Sequence, residues 1–275
     1  MQQMNERELN EQEIILKERM SKIKHSLVVM SGKGGVGKST VAVNLAYALS
    51  LSGKKVGILD VDIHGPNIAK MLGIENQTIC NSEFGIQAVK VSENLKAVSL
   101  ALVGYDPDQP IIWRGPRKTA AIRQFLGEVN WGELDYLIID SPPGTGDEPL
   151  SVCQLIPNVQ GIIIVTTPQD VAILDARKSV LFANELKIPV VGIIENMSGY
   201  ICPHCHTETA IFKKGGGEKA ARELKIPFLG RVPLQPEFVE YADQGTPFVS
   251  FQDKSAAAAA FIGIVNKIKD STENK

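Results

Sequence analysis

What the chain lacks narrows its class first. No apolar run approaches the ~18 residues that cross a bilayer as a helix, so no membrane-spanning helix is expected. Four cysteines, Cys80, Cys153, Cys202 and Cys205, serve 275 residues. That is too few for a disulfide scaffold, and a reducing cytoplasm is the default expectation. Neither sign of charge dominates, since 29 Lys and Arg against 31 Asp and Glu leave −2. This balance gives no electrostatic reason for a nucleic-acid or membrane partner. The opening stretch "MQQMNERELNEQEIILKERM" is too polar for a secretory leader. No linker rich in Pro, Gly or Ser interrupts the chain, and no internal repeat is visible. What is present is enough apolar residue, 44%, to bury a sizeable core.

Those apolar residues follow one grammar. Short β-branched runs, "SLVVM", "KVGILD", "LKAVSLAL", "DYLIID", "GIIIVTT", "VVGIIEN" and "PFLGRVP", alternate with helical stretches such as "STVAVNLAYALSLSG", "RKTAAIRQFLGEV" and "VAILDARKSVLFANEL". Continuous apolar runs are strands covered on both faces, and alternation with helices points to βαβ units. The fold class predicted is α/β: a single P-loop domain with a mostly parallel sheet flanked by helices. Residues 1–24 read as a peripheral helix or arm, 25–270 as the domain, and 271–275 as a frayed tail.

Between "LVVM" and "TVAVNLAYAL" lies G-K-G-G-V-G-K-S, which fits the phosphate-loop pattern G-x-x-x-x-G-K-[ST]. Glycines let successive backbone N–H groups turn inward around a phosphate, and the following helix adds its positive end. Gly32, Lys33, Gly34, Gly35, Val36, Gly37, Lys38, Ser39 and Thr40 are the candidate nucleotide contacts. Lys38 reaches toward the β- and γ-phosphates, and the Ser39 hydroxyl is a Mg²⁺ ligand. Lys33 is one lysine more than the pattern requires. Parallel strands bring their C-terminal ends to one edge, so "ILDVD" and "LIID" should deliver carboxylates there. Asp60 and Asp140 are expected to support Mg²⁺ through water, and Asp62 to orient an attacking water. Taken singly, each reads first as a turn or helix-capping aspartate, and it is three at strand ends beside a phosphate loop that favour function.

These motifs carry a resemblance. K-G-G-V-G-K-S is similar to the deviant phosphate loop of the MinD, ParA and nitrogenase iron protein class. More narrowly, "DVDIHGPNIAKMLG", "WRGP", "DYLIIDSPPGTGDE", "VTTPQDVAILDARK", "GIIENMSGYICPHC" and "VPLQPE" together resemble the Mrp/ApbC family of iron–sulfur cluster carrier ATPases, from about Ser26 to about Ile268. The resemblance implies ATP binding and slow hydrolysis, a homodimer, and transfer of a 4Fe–4S cluster to apoproteins, with scaffold or donor proteins upstream. It implies that Lys33 reaches the nucleotide of the other subunit, and that Asn196 and Pro233 frame the adenine.

The sequence "YICPHCHTET" is the metal candidate. Cys202 and Cys205 in C-x-x-C supply two thiolates, whereas a 4Fe–4S cluster needs about four ligands. A two-fold dimer would supply the rest from the same loop of its partner. Zinc uses the same atoms, with His204 and His206 as further donors. A redox pair and an inert pair are the other readings, and the resemblance puts the cluster first. Cys80 and Cys153 read as structural, and His25 and His64 as ordinary loop or surface histidines. "WRGP", residues 113–116, reads as an interface. The competing class is a zinc-stapled positioning or regulatory ATPase of the MinD/ParA kind. The last helix lacks a basic, aromatic membrane-binding face, and neither cousin needs a C-x-x-C.

Overall fold

The computed structural model describes residues 6–62, 65–79, 81–82, 85–103, 122–123, 125–202, 204–205, 207–250 and 255–274. Its strands are β1 (Ile23–Met30), β2 (Val56–Asp60), β3 (Asn81–Ser82), β4 (Gly85–Gln87), β5 (Val89–Lys90), β6 (Leu95–Ser99), β7 (Val129–Asn130), β8 (Leu134–Asp140), β9 (Gly161–Thr166), β10 (Val190–Glu195), β11 (Tyr200–Ile201), β12 (Glu208–Thr209) and β13 (Phe228–Arg231). Its helices are α1 (Glu6–Met20), α2 (Lys38–Leu51), α3 (Ile68–Met71), α4 (Asp147–Leu155), α5 (Asp170–Glu185), α6 (Gly216–Leu224), α7 (Glu237–Asp243) and α8 (Ala256–Glu273).

Eight strands form the main sheet in the order β13-β10-β9-β1-β8-β2-β6-β5. Every neighbouring pair is parallel except β5–β6 at one edge. The alternation of a strand sorts its side chains to two cores. Leu27 and Val29 face one side, with Leu45 and Leu49 of α2 and Phe261 of α8. Val28 and Met30 face the other, with Val152 of α4 and Ala176 of α5. Both faces are covered, which is why these strands read as unbroken apolar runs.

The two ends of the chain differ from the sequence reading. Helix α1 falls in the stretch read as a peripheral helix or arm, and the β1 strand starts at Ile23, inside that stretch. Leu16 and Met20 bury themselves in the second core, so α1 is docked. At the other end α8 runs to Glu273, past the point where fraying was expected. Glu273 accepts a hydrogen bond from the Tyr136 hydroxyl at 2.6 Å and pairs with Lys54 at 2.9 Å, which fastens the last turn to the sheet. Ser255 caps the first turn by accepting from the Ala258 N–H at 3.0 Å.

Candidate nucleotide and thiol site

Register brings the expected residues to one sheet edge. Asp60 lies opposite Asp140, and Asp140 opposite Val29, one residue before the end of β1. The chain then turns through the glycine loop. Gly35 and Gly37 both sit at φ 79, which glycine adopts without strain. The first helical residue of α2 is Lys38, and its N-cap Gly37 has no side chain to satisfy the exposed N–H groups. They remain available to an anion. Crowding restricts Gly32 and adds to the constraint on Gly37. A Cβ at Gly32 would lie 2.4 Å from the Asp175 carbonyl of α5, and one at Gly37 would lie 2.3 Å from Asn196 Nδ2. The loop after β8 is tied to the same place, for Gly144 donates its N–H to the Ser31 carbonyl at 2.8 Å.

One buried lysine faces three carboxylates. Lys38 Nζ stands 2.7 Å from Asp140 Oδ1 and 3.7 Å from Asp62 Oδ2. Asp60 and Asp140 are both fully enclosed. Burial, with Asp140 adding to it, pushes the Asp60 carboxyl up to about 8. Burial also raises Asp140, against the opposing pull of Lys38. The two carboxyls are not equivalent. Asp60 spends both oxygens inside the chain, accepting from the N–H groups of Asp62 at 3.1 Å and Ile68 at 3.3 Å and from the Ser99 hydroxyl at 2.9 Å. Asp140 Oδ2 is buried with no partner among the described residues. An excess of buried carboxylate, an open carboxylate oxygen and the neighbouring Ser39 hydroxyl make a donor set that fits Mg²⁺. Asp60 instead braces the turn that carries Asp62.

Of the remaining nucleotide candidates, Asn196 bonds the loop directly. Asn196, just past β10, donates from Nδ2 to the Val36 carbonyl at 2.9 Å. Pro233 follows β13 in a segment whose Val232 N–H bonds the Glu195 carbonyl at 2.9 Å. Lys33 is half-buried and has no ion pair among the described residues.

The cysteines sit on a two-stranded ribbon. β11 and β12 pair antiparallel, Tyr200 with Thr209 and Ile201 with Glu208, and Cys202 and Cys205 lie between them in sequence. Cys202 is half-buried and Cys205 exposed, both as free thiols. Hydrogen bonds from Thr207, then one from Cys202, hold the Cys205 thiol below its usual range, which favours the thiolate a metal needs. Among the described residues no three His, Cys, Asp or Glu side chains gather into a metal-binding group. Cys153 is buried in α4, and burial raises its thiol to about 11. His25 lies against the Tyr136 ring. His64, Cys80, His206 and residues 113–116 lie outside the described residues, as do 117–121 of the helix expected after them. No helix among the described residues is long and apolar enough to cross a membrane.

One buried carboxylate near the site escaped the sequence reading. Glu195 ends an apolar strand just as Asp60 and Asp140 do, and a glycine triplet follows at 215–217. It is fully buried, and it accepts hydrogen bonds from Ser198 Oγ at 2.5 Å and from the Gly215 and Gly217 N–H groups at 2.8 and 2.5 Å.

An uncapped helix behind a glycine loop, facing acidic strand ends across a parallel sheet, defines a P-loop nucleoside triphosphatase. The chain belongs to the ParA family described as the NUBPL iron-transfer P-loop NTPase, whose family model matches residues 22–269. It is 54% identical over 267 residues to an iron-sulfur cluster carrier protein of Methanocaldococcus jannaschii, spanning 97% of this chain and 91% of that one. A protein of the same name from Saccharolobus solfataricus is 46% identical over 250 residues, 91% of this chain and 84% of that one. Among solved structures, a nucleotide-binding protein of Archaeoglobus fulgidus, in complex with ADP and with cobalt found by PIXE, matches with TM-score 0.75 and 40% identity over 85% of this chain and 91% of that chain. The cell division ATPase MinD of Pyrococcus furiosus shares the fold, with TM-score 0.66 at 21% identity over 90% of this chain and 99% of that chain.

Proposed function

We propose that this protein is an ATP-hydrolysing iron–sulfur cluster carrier that works as a homodimer and passes a 4Fe–4S cluster to apoproteins. The observation that carries this reading is the exposed C-x-x-C ribbon, rooted at the nucleotide edge of a P-loop domain. Close relatives named as cluster carriers support it. Lys38 and the N–H groups of residues 32–40 hold the phosphates of ATP. Ser39 and Asp140 would hold Mg²⁺, which supplies positive charge to the β- and γ-phosphates. Asp62, beside Lys38, orients the attacking water, and Lys33 of each subunit reaches the γ-phosphate of the other. Asn196 and Pro233 flank the adenine. The cluster is cargo: Cys202 and Cys205 give two thiolates per chain, so the four-ligand site exists only between two copies.

The test is anaerobic reconstitution with iron and sulfide, read by visible spectrum, metal content and mass in solution. About four irons per dimer are expected in the native chain, and almost none in Cys202→Ser or Cys205→Ser, with ATP binding kept in both. One zinc per dimer that iron cannot replace would overturn the carrier reading in favour of a zinc-stapled ATPase.

A further inference from the structure

We infer that residues 195–199 couple the phosphate loop to the thiol ribbon, with Glu195 as the positioning residue. The inference takes the Cys202–Cys205 pair as functional from the carrier reading and adds a physical route between the two sites.

The route is short. On the ribbon side, one buried carboxylate holds both roots of the excursion that carries the thiols. Ser198 lies on the outgoing root, and Gly215 and Gly217 lie where the chain re-enters at α6. Gly217 packs tightly here, for a Cβ there would lie 3.1 Å from the Glu195 side chain. Arg231 Nε stands 3.7 Å from the same carboxylate, which gives the buried charge a partner. The outgoing root is also fastened to the strand beyond. Ser198 donates its N–H to the Val232 carbonyl at 2.9 Å, and Leu234 donates to the Gly199 carbonyl at 2.8 Å.

On the phosphate side, the residue after Glu195 bonds the loop and the next one lies close to it. Asn196 donates to the Val36 carbonyl at 2.9 Å. The Met197 methyl lies 3.6 Å from the point where a Gly37 Cβ would be. Met197 itself is held at φ 54, left-handed backbone that a non-glycine residue takes up at a cost. A strained residue therefore sits between the contact with the phosphate loop and the clamp on the ribbon. An anion in the loop draws on the backbone of residues 36–37, the same peptide whose carbonyl Asn196 holds. Any repacking there reaches Ser198 and Glu195 through one or two residues of close-packed chain. Coupling of this kind is reciprocal: nucleotide alters the thiols, and a metal on the thiols alters nucleotide affinity by the same factor.

The test uses the reduced, metal-free full chain, so it is independent of which metal the thiols hold. Iodoacetamide labelling of Cys202 and Cys205 is followed by peptide mass, with buried Cys153 as internal reference, without nucleotide and with saturating Mg·ADP. Coupling commonly amounts to 5-fold or more in an equilibrium, and an equilibrium shift of that size in thiol exposure changes the labelling rate by about 5-fold in the native chain. Glu195→Gln keeps the shape but turns an amide NH₂ toward hydrogen-bond donors, so one root of the ribbon loses its acceptor. It is expected to retain Mg·ADP binding while the nucleotide-dependent shift disappears. Ser198→Ala removes a single donor and is expected to weaken the shift, which keeps the inference testable should Glu195→Gln not fold. Equal labelling rates with and without Mg·ADP in the native chain, or an undiminished shift in the variants, would overturn it.

Discussion

Lys38 has two competing partners. It pairs with Asp140 at 2.7 Å, and in the proposed mechanism it serves a phosphate. Lys38→Ala therefore carries two separable defects. Loss of the charge at the phosphate should cost about 2–4 kcal/mol of transition-state stabilisation, seen as lost turnover. Loss of the buried pair should destabilise the fold by roughly 3–5 kcal/mol. Adding Asp140→Asn should restore much of the denaturant midpoint and none of the turnover. Recovery of turnover in the double variant would contradict the assignment. Asp60 gives a pH signature. Its carboxyl titrates at 3.8 in the unfolded chain and at about 8 in the fold. Between those values the folded protein keeps a proton that the unfolded chain has released. Stability from this group thus falls as pH rises through that window, by at most about 1.4 kcal/mol per pH unit, and levels off above it. Asp60→Asn should flatten the slope. Urea midpoints of both metal-free proteins between about pH 5 and pH 8 decide the matter.

At the scale of elements, the phosphate loop is shaped by its surroundings as much as by its own glycines. Gly34 has open space where a Cβ would go, whereas Gly32 has the backbone of α5 there. Gly32→Ala should abolish nucleotide binding and Gly34→Ala should spare it, measured by titration with Mg·ADP. Equal affinity in the two variants would sink this account of the loop. The contrast marks how far the sequence could be read. The phosphate loop, the acidic strand ends and the C-x-x-C were legible because each is local, a few residues whose types state their chemistry. That Gly32 needs to be glycine was legible as a motif, but the contact with Asp175 that demands it was not. Asp60 and Asp140 looked alike in "ILD" and "IID". They differ because Ser99 and the Ile68 N–H reach only Asp60. Glu195 went unread because its partners at Gly215 and Gly217 are about twenty residues away. The start of β1 was hidden because Lys24 and His25 lie where the strand leaves the core.

At the scale of the molecule, each nucleotide site and each thiol pair is proposed to need a second copy. Lys33→Ala should keep nucleotide affinity and lose hydrolysis, because within one chain Lys33 has no ion pair among the described residues to lose. Unchanged hydrolysis would remove the case for a cross-subunit role, and mass in solution with ATP would show whether two copies still meet. The order of strands has a consequence for how such a molecule is made. β1 is the first strand in the chain and lies near the middle of the sheet, between β8 and β9. Lys38 is 102 residues from Asp140, and Val36 is 160 residues from Asn196. A chain emerging from the ribosome therefore exposes its glycine loop long before Asp140, Asp175 and Asn196, three of the loop's neighbours, exist. Until β8 and β9 have been synthesised, β1 and α2 have no sheet to close over them, and their apolar faces stand open. Contacts so distant in sequence make folding slow and leave the early intermediate prone to association. The nucleotide site is thus among the last features to form from one of the first segments to appear, so nucleotide selects finished chains and stabilises them only once the sheet is complete.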